Sequence, residues 1–467
     1  MKRKKLPFYE NVEITAIGSE GKALGRIDEM VVFVPNVIPG DIVDIQINER
    51  KKNYQEGYPT RFVKYSSLRR EAACEHFGIC GGCKWQMLPY PEQLNFKQKQ
   101  VYDQLTRIGK LDIPEMPPIL ASESEYYYRN KLEFTFSAHR WLLKEEMGSI
   151  TDPQQLNGLG FHIPKMFDRV VDINHCHLQG GLSNDMRNFT RKYAFEHGLD
   201  FYNFKNKSGF FRNMTVRNTL SGETMVIFSL GLDLPEERAA FLNAFYNQFP
   251  EVSSLNYVIN HKLNDTILDL DIHCVKGNPY ILEQMHGLKF KVGPKSFYQT
   301  NSKQALRLYE VALGFAQLTG SENVFDLYTG TGTIAAFVAS KARKVVGIEI
   351  VPEAIEDAKQ NARMNGIENI SFHVGDMKDM LTSDFVAQHG TPDVVILDPP
   401  RAGLHENVIK VLLQIRPSRI VYVSCNPATQ ARDLQLMSEA YAITHVQAVD
   451  MFPQTHHVEN VVGMSLK

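Results

Sequence analysis

The chain has no apolar run approaching the ~20 residues that a membrane-spanning helix needs, which excludes a helical membrane protein. Nor has it much net charge: 51 Lys and Arg stand against 53 Asp and Glu, a formal balance of -2. A uniformly basic nucleic-acid coat is thereby excluded, and contact with a polyanion has to be local. No internal repeat and no low-complexity linker is present, so a solenoid is not expected. The basic start, Met1-Lys-Arg-Lys-Lys5, runs into Leu6-Pro7-Phe8 and not into a signal-peptide apolar stretch, and a cytoplasmic protein is expected. Cysteine is scarce, six in 467 residues, and in that compartment disulfides are not expected.

What is there divides into three. At roughly 150 residues per domain, 467 residues predict about three domains. Apolar content of 43% and charged content of 22% are those of an ordinary globular protein. Local basic clusters occur at residues 2–5, Arg50-Lys51-Lys52, Arg69-Arg70, and Lys205 with Lys207; each is compatible with RNA contact or with plain solvated charge. Through about residue 68, short alternating strands are broken by Gly18, Gly21, Gly25, Pro35, Pro39, Gly40 and Gly57, a pattern that predicts a small β-barrel of OB type. Residues 69–290 mix a helix at "PEQLNFKQKQVYDQLTRIG" with strands such as "NKLEFTFSAH" and "ETMVIFSLG", an α+β reading.

The cysteines are unevenly placed. Cys74, Cys80 and Cys83 form C-x5-C-x2-C in "CEHFGICGGC", where Gly81 and Gly82 let the backbone fold around a common centre. Cys176 in "INHCHL" is the candidate fourth ligand. Four cysteines suit an iron-sulfur cluster, while His76, His175 and His177 leave zinc open.

From residue 291 onward strands and helices alternate, which predicts a parallel α/β sheet. "NVFDLYTGTGTIAAFVAS" is a strand, a turn at Gly330-Thr-Gly332, and a helix start, the arrangement that admits a ligand close to backbone. "KVVGIEI" delivers Glu349 to the next strand end, placed to accept from ribose hydroxyls. "PDVVILDPPRAGL" delivers Asp398, with Pro399-Pro400 stopping the strand. "RIVYVSCNP" delivers Cys425, either a nucleophile or a small buried residue, and "HHVENVVGMSL" opens a last strand on Glu459. A NAD-dependent oxidoreductase would use the turn and Glu349 equally, yet has no use for Cys425 beside Asp398. A non-catalytic RNA-binding or iron-sulfur protein gives no reason for the three strand ends.

Together "SFYQTN", "DLYTGTGTIA", "DPPRAG", "SCNP" and "HHVE", with C-x5-C-x2-C upstream, resemble the S-adenosylmethionine-dependent RNA uracil-C5 methyltransferases, in particular their 23S ribosomal RNA branch. The resemblance covers nearly the whole chain. It implies a TRAM-type barrel at 1–68, a central iron-sulfur and RNA-binding domain at 69–290, and a Rossmann-like class I methyltransferase domain at 291–467. It further implies that Gln299, Tyr328, Glu349 and Asp398 line the methyl-donor site, that Cys425 is the nucleophile and Glu459 the base. Cys74, Cys80, Cys83 and Cys176 would hold a 4Fe-4S cluster. The expected substrate is RNA, 23S rRNA first and tRNA second, and the expected state a monomer free of membranes.

Overall fold

A computed structural model describes residues 6–18 and 21–467; the basic cluster at residues 2–5 lies outside the described residues. Five strands, β1 (Phe8–Ile17), β2 (Ala23–Ile27), β3 (Met30–Val34), β4 (Ile42–Arg50) and β5 (Tyr54–Lys64), close into a barrel in the order β1-β2-β3-β5-β4. Period-two alternation sends Val12, Ile14, Val32, Val34, Val43, Ile45 and Ile47 inward, which is why these short strands close on themselves. Buried Asp41 fastens the exit from the barrel. Its carboxylate accepts from the backbone of Ile38 (2.7 Å) and Ser66 (2.9 Å) and from Arg69 (2.7 and 2.8 Å).

The second sheet holds β6 (Lys131–Ser137), β7 (Gly158–His162), β8 (Val170–Asp172), β9 (Phe211–Asn218), β10 (Thr224–Leu230), β11 (Ser254–Ile259) and β12 (Ile272–Gly277), ordered β12-β11-β10-β9-β6-β7-β8. Its one parallel pair, β10 with β11, is bridged by the helix Pro235–Gln248, since parallel neighbours need a crossover. That helix and Ser183–Glu196 bury a phenylalanine-rich face including Phe134, Phe136, Phe211, Phe228, Phe241 and Phe245. A hairpin, β13 (Ile281–Met285) and β14 (Leu288–Val292), follows and packs on the third sheet.

The third sheet contains β15 (Asn323–Leu327), β16 (Lys344–Glu349), β17 (Ile370–Val374), β18 (Val394–Leu397), β19 (Arg419–Ser424), β20 (Tyr441–Val449) and β21 (Glu459–Leu466), ordered β17-β16-β15-β18-β19-β21-β20. Strands β15 to β19 run parallel, and β21 runs against both β19 and β20. Strand order reverses at β15, so the crevice for a ligand opens at the carboxyl ends of β15 and β18.

The helix expected near residues 91–109 forms as Tyr90–Asp103, ending in a widened turn, Gln104–Ile108. Its Val101 and the following Leu105 join the apolar core of the third sheet, with Leu397 and Tyr422. Lys97 forms an ion pair with Asp450 at 2.6 Å, both side chains wholly buried, and Tyr90 Oη donates to the other Asp450 oxygen at 2.8 Å. The barrel rests on the same segment: Trp85 packs with Ile38 and Leu88, and its indole donates to the Gly21 carbonyl. No helix among the described residues is long and apolar enough to cross a membrane.

Candidate functional site at the strand ends

The first loop of the third sheet is built by backbone that only certain residues tolerate. Tyr328 leaves β15 with φ +68°, and its N–H and that of Thr329 both donate to the Ile348 carbonyl. Gly330 and Gly332 follow at φ +55° and +75°. A Cβ on Gly332 would lie 2.9 Å from the Ala358 and Phe372 side chains, so glycine is required there twice over. Beneath the turn Asp326 is fully buried and accepts from Thr329 Oγ1; burial pushes its carboxyl up to about 7. Glu349, at the end of β16, accepts from the N–H groups of Gly330 (3.1 Å), Ile350 (2.8 Å) and Val351 (3.1 Å), which ties it to the glycine turn. Tyr328 is half-buried, and burial pushes its phenol up to about 12.

Asp398 follows β18, and burial together with the Asp326 charge pushes it up to about 7. Cys425 follows β19. Asn426 then caps the helix Pro427–Met437 by accepting from the Ala428 N–H at 3.2 Å. The register of β19 with β21 sets Ser424 against Asn460, which brings Cys425 beside Glu459. Each feels the other. Burial and then the Glu459 charge push the Cys425 thiol up to about 11, while burial and then Asp398 push buried Glu459 up to about 8. Three of the expected residues thus meet in one place. Gln299 lies in the loop 293–301, which leads into the helix Ser302–Ala316; buried Tyr309 on that helix is pushed up by burial and by Asp398, Asp326 and Glu459.

Residues 218–467 match the tRNA (uracil-5-)-methyltransferase family, and residues 9–59 match the TRAM domain. An uncharacterized RNA methyltransferase of Bacteroides thetaiotaomicron is 55% identical, covering 97% of this chain and 100% of its own. One from Chlorobaculum tepidum is 36% identical over 96% and 94%. The chain belongs to the tRNA (uracil-5-)-methyltransferase family. Among solved structures, the tRNA (uracil-54, C5)-methyltransferase of Pyrococcus abyssi, in complex with S-adenosyl-L-homocysteine, superposes on this methyltransferase with TM-score 0.75. That pair shares 28% identity, over 97% of this chain and 100% of the other.

Two basic residues of the methyltransferase were not expected from the strand ends. Arg401, third after Asp398, lies 3.4 Å from His457 Nδ1, and its charge opposes the upward shifts of both Cys425 and Glu459. Its signal lay inside "DPPRAG", a basic residue directly after two strand-stopping prolines. His457 is pushed down to about 3 by burial, with His456 and Arg401 adding to it, so it faces the site as a neutral imidazole.

The four cysteines expected as cluster ligands lie away from these strand ends. Cys74, Cys80, Cys83 and Cys176 line one cavity of about 640 Å³ with His76, His175 and His177. Burial, and to a lesser extent mutual repulsion, pushes the Cys80 thiol up to about 11 and Cys83 to about 12. Among the described residues, no group of three or more His, Cys, Asp or Glu side chains is placed to hold a metal ion.

Proposed function

We propose that this methyltransferase transfers a methyl group from S-adenosylmethionine to C5 of a uracil in RNA, through a covalent bond between Cys425 and C6. The observation that carries the reading is the meeting of Asp398, Cys425 and Glu459 at adjacent strand ends beside the Gly330–Gly332 turn. Uracil C5 is a poor nucleophile, and a sulfur added at C6 turns it into an enolate carbon that attacks the methyl group. Arg401 supports the thiolate by its charge. After transfer, Glu459 takes the C5 proton, the electrons of that bond re-form the C5–C6 double bond, and the Cys425 sulfur leaves. S-adenosylmethionine supplies the methyl group when bound. Glu349 accepts from its ribose hydroxyls, and Gln299, Tyr328 and Asp398 complete that pocket. The uracil has to be unstacked to enter, so the target is a single-stranded loop or an extruded base.

The proposed organisation is a barrel at 1–68, a central domain at 69–290 and a catalytic domain at 291–467, in a cytoplasmic monomer. Cys74, Cys80, Cys83 and Cys176 would hold a 4Fe-4S cluster; four thiols that line one cavity and disfavour one another as anions form a donor set whose charge such a cluster relieves. Protein purified without oxygen should be brown and contain iron and sulfide, and stoichiometric zinc without iron would reject the assignment. The substrate we favour is 23S rRNA; tRNA is the second reading, supported by the family and by the Pyrococcus abyssi relative. Mapping 5-methyluridine in both RNAs from a strain lacking the gene decides between them.

Labelled RNA carrying 5-fluorouridine tests the chemistry, because fluorine cannot leave C5 as a proton does. Wild type should be trapped as a protein-RNA adduct on a denaturing gel. Cys425→Ala should show no adduct and no turnover while binding the methyl donor within about twofold of wild type, and turnover by that variant would make Cys425 the inert buried residue.

A further inference from the structure

The loop that carries Gln299 has no strand pairing of its own; it is held from the second sheet. Asn130 directly precedes β6, and the register of β6 with β9 sets Lys131 against Arg217, so Asn130 and Arg217 stand together at one end of that sheet. The Asn130 amide donates to the Gln299 carbonyl at 2.8 Å and to Ser302 Oγ at 2.7 Å. Its backbone N–H donates to the Thr300 carbonyl at 2.8 Å. Arg217, buried and with its guanidinium pushed down to about 10 by burial, donates to the Ser296 carbonyl at 2.8 Å. Ser302 passes the tether on, donating to buried Glu283 on β13 at 2.6 Å. Asn130 is itself fixed, its carbonyl accepting from the Asn218 N–H at 2.9 Å. The same segment reaches the cysteine cavity: the N–H groups of Tyr127 and Arg129 donate to the carbonyls of His177 and Leu178, just past Cys176.

We infer that Asn130 and Arg217 are positioning residues for the methyl-donor pocket, holding the backbone of residues 296–300 so that Gln299 meets the donor in a preset position. This rests on the reading that Gln299 lines that pocket. A side chain delivered by a loop contributes full affinity only if the loop is ordered before the ligand arrives. Releasing carbonyls 296 and 299 makes binding bear the ordering cost, while the strand-end groups that break and form bonds stay in place.

Asn130→Ala removes both side-chain tethers. Calorimetry with S-adenosylhomocysteine should show about a tenfold rise in Kd, the order expected for hydrogen bonds lost from a buried site. KM for S-adenosylmethionine should rise by a similar factor, with kcat at saturating donor and Kd for RNA within about twofold of wild type. General damage to the fold would lower kcat and would not be rescued by excess donor. Asn130→Asp, isosteric but unable to donate, should lose at least as much, and it serves as the test if the alanine variant does not fold; Arg217→Lys should shift Kd in the same direction. A folded Asn130→Ala or Asn130→Asp protein with unchanged Kd, or with reduced kcat and unchanged KM, overturns the inference. Gln299→Ala separates the two ideas. If it weakens donor binding while the Asn130 variants do not, the positioning role alone is wrong; if it leaves binding unchanged, the assignment of Gln299 to the pocket is wrong.

Discussion

Glu459 is a buried carboxyl group held neutral at rest, and the proposed chemistry asks it to act as a base. Burial and the neighbouring Asp398 push it up to about 8, and Cys425 beside it up to about 11. Both the base and the thiolate therefore gain population as pH rises, and kcat/KM should climb from pH 6.5 to 9; a flat profile over that range would contradict the assignment. Stability runs the other way. A carboxyl raised from 4.5 to about 8 on folding contributes stability that is complete below 4.5 and lost as pH rises through 8. Glu459→Gln, which cannot ionise, should melt a few degrees above wild type at pH 8.5, with the advantage gone at pH 4.5. On RNA the same variant should add Cys425 to C6 yet fail to remove the C5 proton, so an adduct should accumulate on a denaturing gel with ordinary uridine; rapid turnover without adduct would remove Glu459 from the role of base.

At the scale of elements, the site depends on turns and helices that are themselves under constraint. Gly332 starts the helix Thr333–Ala339 at φ +75° with side chains of Ala358 and Phe372 already at contact distance. Gly332→Ala should cost on the order of 2–3 kcal/mol in urea unfolding and weaken donor binding at least tenfold, since strain and clash act on the same turn. The helix Tyr90–Asp103 is pinned by Lys97 on Asp450, with both side chains out of water. Lys97→Met strands the Asp450 charge and should cost about 3–5 kcal/mol. A loss below 1 kcal/mol would mean that water reaches the pair. Legibility differs between these two elements. The glycine turn was readable because its requirement is local, a matter of φ and missing Cβ atoms. The helix was readable as a helix, but amphipathicity states that a face is buried without stating against what.

For the molecule as a whole, RNA contact has to come from local charge, because the chain is close to neutral. Arg50, Lys52, Lys205 and Lys207 are exposed, as is Lys51, which pairs with Glu49. Raising salt from 50 to 200 mM should weaken binding to unmodified RNA by roughly tenfold or more, as release of counterions from about three phosphates requires; an affinity independent of salt would exclude a phosphate-led mode. The sequence by itself determined the barrel, the parallel sheet and the residues at its strand ends, because an apolar strand followed by Asp398-Pro-Pro, Cys425-Asn-Pro or the glycine turn dictates where the strand stops and what it presents there. It also determined the gathering of three cysteines, which lie within ten positions of one another. Only the tertiary structure decided that Glu459 adjoins Cys425, that Lys97 finds Asp450 353 positions away, and that Asn130 holds the loop of Gln299 from 169 positions away. Those pairings rest on strand register and on sheet packing, and a polar side chain carries no mark in the sequence of the distant partner that satisfies it once water is excluded.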